Sequence, residues 1–156
     1  MSSHQSDPLP AAAVSAVIDT VREEGLVEKA KTNGQYFKER LQGLMGKWPI
    51  VADVRGEGLM LGFELDEDNE RGKSKDVLAF MLEKYCKQRG VWLSYGSWGG
   101  VFRLLPPLTI TRKQIDQAIS ELDKSFEDLA SEKEMASIGT QNPYTKGFIS
   151  RYLASP

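Results

Sequence analysis

The chain has 156 residues, 20 of them Lys or Arg and 22 Asp or Glu, for a formal net charge of -2. That length suits one domain with a core large enough to need no metal or disulfide staple, and the near-balance of charge gives no electrostatic footprint for nucleic acid or an anionic membrane. The lone cysteine, Cys86, has no internal disulfide partner, and the apolar runs are too short to span a bilayer.

The opening MSSHQSDPLP has neither a basic n-region nor an apolar h-region, so no secretory signal is read there and a reducing compartment is expected. Pro8 and Pro10 mark a helix start, with Ala11 to Ala13, Val14, Val17, Ile18 and Val21 as a small-residue apolar face and Gly25 as its stop. A second helix is predicted from Leu26 to about Lys47, because Ala30, Gly34, Phe37, Leu41 and Leu44 recur at spacings of four and three. Two short strands follow, Val51 to Arg55 and Leu59 to Leu65, joined by a hairpin at Gly56-Glu57-Gly58.

After a polar connection from Asp66 to Lys75, a third helix is read from about Ser74 to Arg89. Its inner face carries Val77, Leu78, Met81, Leu82, Tyr85 and Cys86, and Gly90 caps it. Val91 to Ser94 and Val101 to Leu105 read as strands about a glycine-rich loop. Thr111 and Gln114 form a capping box for a last helix, whose stripe is Ile115, Ile119, Leu122, Phe126 and Leu129. The order ααββαββα, with strands joined mainly by hairpins, predicts an α+β fold: a short, mostly antiparallel sheet with helices against one face. Residues 1–130 make up this domain, and 131–156, where periodicity vanishes, are expected to be an irregular tail.

Several motifs dissolve on inspection. Gly56, Gly58 and Gly62 mimic a dinucleotide loop but lead into a strand rather than a helix. Asp66, Asp68 and Glu70 resemble the start of a calcium loop, yet Arg71 occupies the glycine position and Val77 the bidentate glutamate position. One His and one Cys exclude the usual zinc sites, Ser97 lacks the spacing of a nucleophile elbow, and Cys86 on an apolar helix face reads as buried and inert.

The stretch GGVFRLLPPLTIT, Gly99 to Thr111, is the most informative. Arg103 stands between Phe102 and Leu104 and so points to the opposite face from both. Two readings stay open on the residues alone: a surface arginine in a weak ion pair, or a stiff two-pronged receptor for a carboxylate.

GGVFRLLPPLTIT resembles the C-terminal signature of class III aminotransferases, fold-type I enzymes that use pyridoxal phosphate. VADVRGEGLMLGFEL (Val51 to Leu65) resembles the family's D-V-R-G-x-G-L-M-x-G hairpin, and SHQSDPLPAA (Ser3 to Ala12) the segment that opens its small domain. Within the family the wording is most similar to the 2,2-dialkylglycine decarboxylases. The resemblance implies that Arg103 binds the α-carboxylate of an amino or keto acid, with Trp92 and Trp98 as candidate pocket walls, and that the Ser3 hydroxyl reaches the cofactor phosphate of the neighbouring subunit of a homodimer. It further implies an alkali-metal ion held by the backbone carbonyls of Ser3 and Gln5 and the carboxylate of Asp7, although Ser6-Asp7-Pro8 also reads as a simple helix cap. The family's Schiff-base lysine, the acidic partner of the pyridinium nitrogen and the phosphate cup lie upstream of the segment that Met1 begins. No lysine here matches that motif. The resemblance thus implies a C-terminal small domain, inactive alone, from a decarboxylating transaminase of the cytoplasm or mitochondrion; a non-catalytic binding or dimerisation module derived from the family is the alternative.

Overall fold

A computed structural model describes residues 7–68, 74–95 and 100–131. Its elements follow the expected order: α1 (Pro8–Glu23), α2 (Leu26–Lys47), β1 (Val51–Glu57), β2 (Met60–Leu65), α3 (Lys75–Gln88), β3 (Ser94–Tyr95), β4 (Val101–Leu104) and α4 (Arg112–Ser131). The four strands form one antiparallel sheet in the order β1-β2-β4-β3.

Alternation along the strands decides which face is covered. Leu61, Phe63 and Leu65 of β2 point inward with Phe102 and Leu104 of β4, and all five are buried. In β1 the pairing register shifts between Val51 and Asp53, which resets the alternation so that Val51 and Val54, three residues apart, both reach the core. Helices α2, α3 and α4 close over this face with the stripes that their periodicity announces: Phe37, Leu41 and Leu44; Leu78, Met81, Leu82 and Tyr85; Ile115, Ile119, Leu122, Phe126 and Leu129.

Polar contacts orient the helices. Tyr36 Oη donates to Asp116 Oδ1 at 2.6 Å, Trp48 Nε1 to Asp123 Oδ1 at 2.7 Å and Lys47 Nζ to Asp123 Oδ2 at 2.8 Å, so α2 and α4 are pinned along their length. The capping box forms as read: Thr111 N–H donates to Gln114 Oε1 at 2.9 Å and Gln114 N–H to Thr111 Oγ1 at 3.3 Å.

Some boundaries differ from the sequence reading. The hairpin turns at Gly58 and Leu59, not across Gly56-Glu57-Gly58, because Gly56, at φ 130°, lets β1 continue and pair through Glu57 with Met60. Val91 to Leu93 leave the ladder, since Val91 N–H is spent on Cys86 O at the end of α3 (2.9 Å), and β3 shrinks to two residues. Ser74 precedes α3 without giving a side-chain cap. The apolar face of α1 buries none of its residues; Leu9, Val14, Val17 and Ile18 remain exposed. Residues 132–156, the expected tail, lie outside the described residues.

Two glycines of α2 separate packing from propensity. A Cβ on Gly34 would overlap the Gly58 carbonyl, whereas one on Gly43 would meet nothing within 4 Å. Gly43→Ala should therefore stabilise the fold by about 0.5–1 kcal/mol through helix propensity, while Gly34→Ala should destabilise it by about 1–3 kcal/mol by forcing the hairpin off the helix. Urea titration of the two variants checks the opposite signs. In the same assay Phe126→Ala, at a side chain 1% exposed, should cost about 3–5 kcal/mol; a loss below about 1 kcal/mol would place Phe126 outside the core.

Candidate functional site: the uncovered face of the sheet

The pleat that buries Phe102 and Leu104 turns Arg103 outward, and Arg103 is exposed. In register it stands between Gly62 of β2 and Ser94 of β3, and Gly62 in turn pairs with Arg55 of β1. The row Arg55, Gly62, Arg103, Ser94 thus crosses the uncovered face.

The two arginines on this row differ electrostatically. Arg55 donates to Asp53 and, at 3.0 Å, to Glu64 Oε2, and these two carboxylates hold its guanidinium above its ordinary pKa. Glu64 is also 3.5 Å from Lys75 Nζ. Arg103 has no ion pair among the described residues. A planar cation with its fork uncommitted, on a strand whose neighbours are locked in the core, is suited to accept a carboxylate through two parallel hydrogen bonds.

Gly62 matters here in a way that spacing alone did not disclose. A Cβ at this position would come within 2.9 Å of the Phe102 carbonyl, and any side chain would rise between the two arginines. Its signal in the sequence is one glycine inside a mostly apolar strand, a usual mark of close backbone approach.

Beside Arg103 lies an apolar cavity of about 310 Å³ whose walls include Trp92, Leu105, Pro107 and Ile119. Trp92 is 76% exposed and carries Lys87 Nζ 4.4 Å from its ring centroid. Asn33 Nδ2 donates to Ile110 O at 2.8 Å, which ties the segment leaving β4 to α2. A larger concavity of about 540 Å³, bounded by Trp48, Ile50, Asp66 and Leu129, shares no residue with this region.

The other expected site residues are placed unevenly. Asp7 caps α1, its Oδ1 accepting from Leu9 N–H at 3.1 Å. Ser3, Gln5 and Trp98 lie outside the described residues. Among the described residues no group of three or more His, Cys, Asp or Glu could hold a metal ion, and no helix is long and apolar enough to cross a membrane. The described lysines are half-buried or exposed, and none lines the cavity beside Arg103. These residues do not by themselves fit pyridoxal phosphate: they offer neither an enclosed lysine nor a phosphate cup.

A small four-stranded antiparallel sheet with helices on one face is the architecture of a partial domain of a fold-type I aminotransferase. The solved acetylornithine aminotransferase from Elizabethkingia anophelis superposes with a TM-score of 0.67 at 28% identity, over 78% of this chain and 30% of that one. The aminotransferase class-III family model matches residues 2–126, and the chain belongs to that family, whose members depend on pyridoxal phosphate. An uncharacterized aminotransferase of Schizosaccharomyces pombe is 39% identical over 132 residues, and the isoleucine 2-epimerase of Lentilactobacillus buchneri 37% identical over 120. The alignments take in 83% and 77% of this chain but only 30% and 26% of those proteins.

Cys86 is fully buried, and burial pushes its thiol up to about 11, with a hydrogen bond to Ser125 opposing the shift. The folded-state value lies above the ordinary one of 9.0. The stability this thiol contributes is therefore complete below pH 9 and drains away as pH rises toward 11. Comparison with Cys86→Ala should show the wild-type chain losing relative stability across that window, and iodoacetamide at pH 8 should label Cys86 only after denaturation.

Proposed function

We propose that this chain serves as the small domain of a pyridoxal-phosphate-dependent class III enzyme and that Arg103 is its receptor for the α-carboxylate of an amino or keto acid. The observation that carries the reading is the guanidinium of Arg103, presented by β4 on the uncovered face without an ion pair among the described residues. On this reading residues 1–130 are the domain and 131–156 an irregular tail. On the same reading the lysine, the pyridinium partner and the phosphate cup come from a large domain, corresponding to the part of the relatives' length that this chain does not cover. The exposed Leu9, Val14, Val17 and Ile18 of α1 supply an apolar surface on which such a domain would lie.

Arg103 binds the carboxylate and fixes its direction, which orients the bonds at the α-carbon. The specific activity proposed is decarboxylation-dependent transamination of the 2,2-dialkylglycine decarboxylase kind, in a homodimer of the cytoplasm or mitochondrion. The Ser3 hydroxyl then meets the neighbouring subunit's cofactor phosphate, and an alkali-metal ion sits on the carbonyls of Ser3 and Gln5 and the carboxylate of Asp7. The wording HQSDPLPAA together with GGVFR supports that subgroup. The exposed apolar face of α1 equally fits a second reading, in which the chain is a non-catalytic binding or dimerisation module of the same descent.

In a complete enzyme carrying this domain, Arg103→Leu should weaken amino-acid substrates by about 2–4 kcal/mol and leave cofactor binding intact, read as kcat/KM against cofactor titration. Unchanged kinetics would remove the assignment. The 156-residue chain alone, incubated with pyridoxal phosphate, reduced with borohydride and mapped by mass spectrometry, should show only scattered substoichiometric labelling and no carbon dioxide release from 2-aminoisobutyrate. A single stoichiometric adduct with turnover would make the chain a self-sufficient enzyme.

A further inference from the structure

The cavity beside Arg103 exists because the β3–β4 ladder stops early. Ser94 pairs with Arg103, but Leu93 and Leu104, which would pair next, do not, since Val91 to Leu93 are drawn back toward the end of α3. The gap opens into the core. Residues on its floor keep a trace of accessibility, 8% for Leu104, 6% for Phe37 and Ile119 and 5% for Leu93, whereas Phe63, Leu65 and Phe102 keep 0–1%.

The cavity's volume of about 310 Å³ falls at the small end of the range for small-molecule sites, about 300–1,000 Å³. Among the described residues that line it, Arg103 is the only ionisable one. A molecule seated there would meet one cation at the mouth and aliphatic or aromatic carbon beyond. That combination selects a carboxylate with an uncharged hydrocarbon tail. A second carboxylate or an ammonium group at the far end of the tail would lose its water without gaining a partner, which is costly.

We propose that this cavity is the side-chain subsite: it receives the aliphatic side chain of an α-keto or α-amino acid whose carboxylate Arg103 holds, and it rejects side chains ending in a charge. The inference rests on the reading of Arg103 as carboxylate receptor and adds the substrate class. Ala118 and Ile110 line the cavity from the α4 side and from the segment before α4, both half-buried, so each can be altered without opening the core.

The test titrates the 156-residue chain with pyruvate, α-ketoisocaproate and α-ketoglutarate, followed by amide chemical shifts and by the Trp92 indole N–H resonance. Each buried methylene strengthens binding by up to about fourfold, so α-ketoisocaproate should bind at least about tenfold more tightly than pyruvate. α-Ketoglutarate should bind no better than pyruvate. Ala118→Phe, which fills the cavity, should abolish the preference, so that α-ketoisocaproate binds no better than pyruvate. Ile110→Ala should reduce that preference at least about threefold and serves if the filled variant does not fold. Equal binding of all three acids, tighter binding of α-ketoglutarate, or an unchanged preference in folded variants would overturn the subsite. Arg103→Leu separates the two levels. Weakening of all three acids without a tail preference removes the subsite alone; no weakening of any removes the carboxylate receptor and the subsite with it.

Discussion

Phe63 and Phe102 face each other across β2 and β4 in register, their rings stacked with centroids 4.7 Å apart, and Phe126 of α4 meets Phe63 edge-on at 6.3 Å. This aromatic cluster joins two strands to a helix through large side chains that are almost completely buried, and it holds the β2–β4 register. A slip of one residue would drive Arg103 into the core and Phe102 into water. The direction of the guanidinium is thus a consequence of packing on the opposite face.

The sheet is covered on one side only, and the two sides use charge differently. Under the helices, carboxylates such as Asp116 and Asp123 are consumed in orienting α2 against α4. Arg89, the C-cap of α3, similarly engages Asp128 of α4. On the uncovered side Arg55 is matched by Asp53 and Glu64, which leaves Arg103 as the cation of the central row without an ion pair among the described residues. Gly62 keeps the space between the two arginines open. Because β4 is anchored by its inward residues, the backbone that carries Arg103 is already ordered, and the carboxylate proposed to bind there would cost less entropy on binding.

The edge of the sheet shows how a small local competition shapes a site. Val91 N–H can serve the β-ladder or the C-terminal end of α3, and it closes the helix end. The ladder is shortened by that choice, and the cavity beside Arg103 is the space left behind. Its hydrophobic lining needs no special design, since the walls are core side chains seen from the side.

The sequence by itself determined the element order, the α+β class and the buried stripes, because periods of 3.6 and 2 are local properties and the inward residues are apolar at almost every turn. It also placed Arg103 opposite Phe102 and Leu104, since alternation along a strand does not depend on what the strand pairs with. The class III resemblance was legible in the same stretches and is what the family match bears out. Only the tertiary structure decided where the hairpin turns, that Val91 to Leu93 leave the ladder, that α1 buries none of its apolar face, and that Arg55 has two carboxylate partners while Arg103 has none among the described residues. Most of these turn on particular contacts rather than on periodicity: Gly34 against Gly58, Glu64 against Arg55, the Val91 N–H on the Cys86 carbonyl. Local periodicity carries no information about such partners, so the fold had to bring them together before the site could be seen.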